Sequence, residues 1–287
     1  RSGPRAFPRS WPPASPRGNN VAPRASTEEH WNRFWTERAD IDAVYPTDGR
    51  VVEQIEAEGP VAGKRIMEVG AGSGRDSVRL AAAGATAVIL DYSVPSLETA
   101  RRVAEREGVR AHFVRADALR LPFRDGAFDV VFHQGLLEHF RDPSPLLREN
   151  VRVLGPGALL LVDVPQRFHL YTLAKHVLIA MGKWFAGWET EFSIGELERV
   201  MRRAGVRIIG RYGAWMIPGL FYRALRLGLL KIGVARLPLY PPPVPIVTPV
   251  VGALRRAWER TPFAMHTYFV IGALGRKEGG EAPPRRA

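Results

Sequence analysis

Glycines at positions 70, 72 and 74 restrict this chain more than any other feature. They stand between an apolar run and a helical pattern in IMEVGAGSGRD, residues 66–76. Ile66, Met67 and Val69 read as a short strand, and Asp76, Ser77, Val78 and Leu80 follow with helical spacing. Strand, glycine turn and helix in that order make a ligand-binding βα unit. Glycine lets the backbone take positive φ and approach a ligand closely. The helix start beyond it presents free N–H groups to an anion.

The spacing selects the ligand. A dinucleotide site wants G-x-G-x-x-G/A, whose last position, counted from Gly70, falls on Arg75, too large for close helix–strand packing. The pattern here is E-x-G-x-G-x-G, beginning at Glu68. It resembles motif I of the class I S-adenosylmethionine (SAM)-dependent methyltransferases.

Further pieces follow at matching intervals. Residues 87–90 read as a buried strand ending in Asp91, an acid about 20 residues beyond a glycine turn and suited to accept both ribose hydroxyls. His112, Phe113 and Val114 make a third strand before Ala116, Asp117 and Ala118. After an Asp125-Gly126 turn, residues 128–132 make a fourth, running into HQGLLEHF at 133–140. Arg152-Val153-Leu154-Gly155-Pro156-Gly157 then leads into a fifth strand at 158–164. Together these resemble the small-molecule branch of the family, which includes quinone- and sterol-type methyltransferases. The likeness covers roughly residues 45–165.

The resemblance implies a Rossmann-like α/β fold. Its seven-stranded sheet is mostly parallel, with an antiparallel last strand. It assigns the cofactor to Glu68, Gly70, Ala71, Gly72 and Gly74 at the turn, and to Asp91 and Tyr92 after the second strand. Asp117 and Ala118 follow the third, with Asp117 toward the adenine amino group, and His133 and Gln134 close the fourth. His133 stands where the family often carries Ser or Asn, so contact with either cofactor or acceptor is open. Two readings compete: a nicotinamide-dependent reductase, opposed by Arg75 and Asp117, and a non-catalytic SAM-binding or membrane-tethering protein.

Methyl transfer from a sulfonium is a direct displacement, so the protein mainly aligns the reactants and excludes water. A base is needed only where the acceptor carries a proton. The candidates are His139, His133 and Glu138, with a loop-orienting role for the Glu138-His139 pair as the alternative. His169 and Tyr171 are open to an acceptor or to packing. An (Asn/Asp)-Pro-Pro-(Tyr/Phe) turn for nucleobases, a paired-Glu loop for protein arginine and an Asp/Asn metal cluster are not evident. No metal site is expected.

The net charge of +12 is unevenly spread over the 287 residues. Residues 1–25 carry +5, 276–287 carry +2 and 213–262 carry +6, which leaves the rest at −1. A polynucleotide groove is therefore not expected. There are no cysteines, so disulfides and thiolate metal sites are excluded. No apolar run is long enough to span a bilayer. A cytoplasmic protein, or one peripheral at a membrane, is the expectation. The chain opens on Arg1, as a processed or incomplete form would.

Residues 1–25, rich in Pro and Arg, read as a disordered basic tail, with an organelle transit peptide as the alternative. The methyltransferase domain spans 26–275, and 276–287 is a second disordered tail. Trp31, Phe34 and Trp35 share a face of a helix capped by Ser26 or Thr27, and Tyr45-Pro46-Thr47 starts another leading to Gly63. Residues 168–188 read as an apolar cap helix, and Ser193-x-x-Glu196 as a capping box. A sixth strand is expected at 206–212 and the last at 266–274. The connection between them, 213–262, is roughly ten times a typical loop. It holds basic amphipathic stretches at 220–236 and 250–260 around a Pro run. It reads either as a packed cap or as a surface for an anionic membrane. Either way the acceptor is expected to be a hydrophobic small molecule or lipid-like.

Overall fold

The computed structural model describes residues 27–38, 40, 49–182, 184, 189–261 and 263–279. The tail at 1–25, Ser26, the helix start at 45–47, the end of the expected cap helix at 185–188, and Pro262 lie outside the described residues, as does the last tail from 280 onward.

Helix α1 (Glu28–Glu37) is capped by Thr27, whose hydroxyl accepts the His30 amide. After α2 (Arg50–Ala57) come β1 (Arg65–Val69), α3 (Arg75–Ala82), β2 (Thr86–Asp91), α4 (Val94–Arg106) and β3 (His112–Arg115), alternating as βα units. Strand β4 (Phe128–Gln134) passes through a single 3-10 turn, Leu137–His139, to α5 (Ser144–Val153) and β5 (Leu154–Pro165). Then follow α6 (Leu170–Ala180), α7 (Ile194–Arg203), β6 (Val206–Ala214), α8 (Leu220–Lys231), α9 (Val247–Glu259) and β7 (Val270–Lys277).

The seven strands form one sheet in the order β3-β2-β1-β4-β5-β7-β6. All neighbours pair in parallel except β7, which runs antiparallel to β5 and β6. The chain winds outward from β1 to β3, then returns to place β4 on the other side of β1. That reversal opens a crevice at the carboxyl ends of β1 and β4, where open α/β sheets take ligands. The central strands are buried on both faces and pack against α2 to α5 and α7.

The fold is the expected one, with shifts at element ends. The fifth strand begins at Leu154 rather than 158. The last begins at Val270 rather than 266, because residues 264–266 form a 3-10 turn and pairing with β5 starts at Pro165↔Val270. The cap helix is shorter than 168–188. His169 caps α6 through Nδ1, which accepts the Tyr171 amide at 3.1 Å, and the helix ends before Gly182, at φ 65°. The capping box is present, with Glu196 accepting the Ser193 amide at 2.8 Å.

Arg152 explains its own motif. Its guanidinium donates to the carbonyls of Leu121 and Phe123 and to the carboxylates of Glu149 and Asp125. It braces the loop between β3 and β4 and takes no part in the crevice.

The appended helices differ. Of α6 only Thr172 and Lys175 are buried, and of α8 and α9 no residue is. No helix among the described residues is long and apolar enough to cross a membrane.

Candidate active site

A cavity of about 350 Å³ occupies the crevice, within the size range of small-molecule sites. Its first wall is the glycine turn: Glu68, Gly70, Ala71, Gly72, Ser73, Arg75 and Asp76. Gly70, Gly72 and Gly74 all have positive φ. At Gly72 a side chain is excluded twice over: φ is 55°, and an added Cβ would sit 2.4 Å from the Trp35 ring. Helix α1 thus closes over the turn through its aromatic face. Gly74 lies behind the wall against Ala100 and Ile89, where it serves helix packing rather than the cavity.

The second wall holds Asp91 and Tyr92, with Ala116 and Ala118. Asp91 is buried and accepts the amides of Gly72 at 3.0 Å and Ser93 at 2.9 Å, and the Ser96 hydroxyl at 2.9 Å. Burial raises its pKa against these bonds. A carboxylate has about four acceptor positions, so two ribose hydroxyls fit only if one internal donor turns away. Ser96 can do so: its single proton also reaches the Gly72 carbonyl at 2.9 Å. Asp117 does not line the cavity. Its Oδ1 accepts the Leu119 amide at 2.8 Å, an Asx turn that shapes the loop on which Ala116 and Ala118 face inward.

Between these walls lies a cluster of acids. Glu68 is raised to about 8, first by burial and then by Asp76, while the Ser77 hydroxyl, donating to it at 2.6 Å, offsets part of this. Asp76 in turn accepts Gln134 Nε2 at 2.7 Å. A cationic ligand end suits this place. With the glycine cradle and the Asp91 carboxylate, the residues present fit a nucleoside carrying a cationic amino-acid tail, as SAM does.

The far end is aromatic and acidic: Trp31, Phe34, Phe140, Tyr171 and Trp184 with Glu138, His139 and Glu189. Burial keeps His139 neutral, to about 4, and raises Glu138 well above the carboxylate range, with Glu189 adding to the rise. Glu138 Oε2 and His139 Nδ1 are buried without a hydrogen-bond partner among the described residues. The Trp31 ring meets His139 edge-on at 5.0 Å.

His133 is not on the cavity wall. Alternation along β4 turns Gln134 toward the cavity and His133 away from it, fully buried, with neither ring nitrogen partnered among the described residues. Burial lowers its pKa to about 3, so it stays a neutral core residue. Glu189, Trp184 and Asp76 are cavity residues that the sequence reading did not assign. For Asp76 the signal was its place on the first turn of α3. Glu189 and Trp184 belong to no sequence motif.

Known proteins resemble this chain in sequence and in fold. Residues 67–162 match the family described as a methyltransferase domain. A demethylmenaquinone methyltransferase of Clavibacter sepedonicus is 41% identical over 111 residues, 39% of this chain and 45% of that protein. A ubiquinone biosynthesis O-methyltransferase of Methylococcus capsulatus is 26% identical over 218 residues, 73% of this chain and 92% of that protein. Magnesium protoporphyrin IX methyltransferase from Synechocystis PCC 6803, solved with bound S-adenosylhomocysteine (SAH), superposes with TM-score 0.57 at 15% identity, covering 88% of this chain and 97% of that one. The chain spans about half the length of the demethylmenaquinone methyltransferases it matches, 45% and 47%.

The fold is that of the class I methyltransferases, with the ligand crevice at the β1–β4 switch. The match covers residues 67–162, the β1-to-β5 part of the sheet that carries the crevice.

Proposed function

We propose that this protein transfers the methyl group of SAM to a hydrophobic small-molecule or lipid-like acceptor. The supporting observation is one cavity with two chemically distinct ends. The glycine turn, Asp91 and the Glu68–Asp76 acids line one end, and aromatic rings with Glu138 and His139 line the other. The names of the relatives favour a quinone-type acceptor. SAM supplies an activated methyl on a sulfonium. Asp91, Glu68 and the turn would hold it, while the rings exclude water and align the acceptor. Calorimetry tests the cofactor: SAH binds in the micromolar range and NADPH does not. Binding of NADPH without SAH would sink the reading. Product detection after incubating methyl-labelled SAM with a lipid and metabolite extract tests turnover, and SAH binding with no labelled product would leave a binding protein.

The domain proposed runs from 26 through Lys277, because β7 continues two residues past the expected bound at 275, with 213–262 as a membrane-facing insertion. Phe221 is 92% exposed, Ile246 78% and Leu254 66%, on a segment of charge +6. Apolar side chains of this size with basic neighbours suit an anionic bilayer surface, at up to about 1 kcal/mol per basic residue near it. Arg223 and Arg226 bind local carbonyls, so the variant to use reverses Lys231, Arg236, Arg256 and Arg260 to Glu. Liposome co-sedimentation should favour anionic over neutral vesicles, weaken with salt and be lost in that variant. Equal pelleting on both lipids would remove the membrane reading.

A further inference from the structure

The acceptor end contains a network of buried charges. Lys175, on the inner side of α6, is buried. Its Nζ lies 2.8 Å from Glu189 Oε2 and 3.0 Å from Glu191 Oε1. Glu189 Oε1 accepts Trp184 Nε1 at 2.9 Å. The next residue ties this segment to the turn after β4: the Thr190 amide donates to the Glu138 carbonyl at 2.7 Å, and its hydroxyl to the Phe140 carbonyl at 3.2 Å. Glu189 is therefore a cavity-lining carboxylate fixed at both oxygens and pinned beside Glu138.

A buried ammonium and carboxylate are costly to desolvate, and removing either one leaves the other uncompensated. Simple packing would be served as well by two apolar residues. Each Glu189 oxygen carries one internal donor and keeps capacity for a second. Burial opposes the charge on Lys175, but Glu189 and Glu191 outweigh it and hold the ammonium charged. Burial pushes the pKa of nearby Glu138 up, with Glu189 adding to the rise, whereas Glu189 has the Lys175 ammonium directly against it.

We propose that Glu189 anchors the acceptor by taking a hydrogen bond from its hydroxyl group, with Lys175 and Trp184 as positioning residues. The proposal rests on the methyltransferase reading of the cavity and names the group that the acceptor must carry. Aromatic walls at Trp31, Tyr171 and Trp184 suit a ring, so the acceptor is a hydroxyaromatic. Lys175 Nζ already lies against Glu189 Oε2 and would repel a second cation there, so a neutral donor is preferred to a cationic amine. A carboxylate acceptor is stronger than a neutral one, and a ligand without the hydroxyl leaves nothing in its place.

The probes are 4-butylphenol, its methyl ether 4-butylanisole, and 4-butylbenzylammonium, titrated into the SAH-loaded full chain with tryptophan fluorescence as readout. The phenol should bind about tenfold or more tightly than the ether. Glu189→Gln should shrink that preference, with phenol binding losing more than ether binding. Glu189→Asp should restore part of it. Because Glu189→Gln weakens the pairing of buried Lys175, the double variant Lys175→Met/Glu189→Gln is measured beside it. It removes both charges and should show the same fall in preference. Equal phenol and ether binding to the parent, a preference that survives undiminished in the variants, or tighter binding of the ammonium would each overturn the anchor. Should SAH itself fail to bind the parent, the cofactor reading fails first, and the two failures are told apart.

Discussion

Helices α3 and α4 and helices α8 and α9 are both amphipathic, yet they meet opposite fates. The first pair buries Val78, Leu80, Leu97, Ala100 and Val103 against the sheet, while the second pair buries nothing. The difference lies in connection and charge. Each helix of the first pair joins adjacent parallel strands, which forces it onto the sheet face. The second pair hangs between β6 and β7, an antiparallel pair that needs no crossover, and its flanking residues are basic. Amphipathicity states that a face needs an apolar medium; topology decides whether the protein itself supplies it.

The largest effect expected from this contrast is on the sheet. Leu160, on β5, is fully buried. Leu160→Ala should cost about 2–5 kcal/mol of unfolding free energy by denaturant titration. A loss below that range would mean that the sheet region is as loosely held as the appended helices.

The next effect belongs to the site. Gly72→Val would need a β-branched residue at φ 55° and would displace Trp35. Backbone strain of this kind costs about 1–3 kcal/mol, and the turn must reshape to relieve it. SAH affinity measured by calorimetry should fall by about 10- to 100-fold. Unchanged affinity would separate α1 and the turn from the cofactor.

These two regions also divide what was legible in the sequence. The strand–turn–helix order, Asp91 and Gln134 were readable because short-range spacing fixes them: a strand end places the next side chains at the crevice. His133 was misplaced by one step of the strand alternation, which decides cavity or core and depends on which face the crevice opens. Asp117 belongs to the right loop, but its side chain is engaged by the Leu119 amide while its neighbours line the cavity. Glu189 and Lys175 come together from an irregular segment and a helix, 14 residues apart, and no periodicity marks such a meeting. The exposure of α8 and α9 was likewise undecided, because a packed cap and a surface helix share one pattern.

A smaller effect follows from the acids beside the turn. Glu68, raised to about 8 by burial and by Asp76, is mostly protonated at neutral pH, with Ser77 and Gln134 as its other polar neighbours. A cationic amino-acid tail bound there favours the ionised carboxylate. SAM binding at pH 7 should therefore release a proton, and affinity should rise with pH until about 8 and then level off. The limiting slope is about tenfold per pH unit, or about 1.4 kcal/mol. Calorimetry in buffers of different ionisation enthalpy reads the released proton directly. Proton uptake, or a flat profile from pH 6 to 8 shared by Glu68→Gln, would remove Glu68 from the ligand's cationic end.

The smallest effect returns to the helices that bury nothing. Phe221 opens α8 and is 92% exposed, so it contributes almost no contact to the folded chain in isolation. Phe221→Ser should shift unfolding free energy by no more than about 0.5 kcal/mol, as for other surface changes. The same substitution removes a large apolar side chain from any surface on which α8 rests. Partition to anionic vesicles should therefore weaken while stability holds, the reverse of what Leu160→Ala does. A destabilisation of about 2 kcal/mol or more would mean that Phe221 packs within the protein in solution. The insertion would then be a cap after all, and the contrast between the two pairs of helices would vanish.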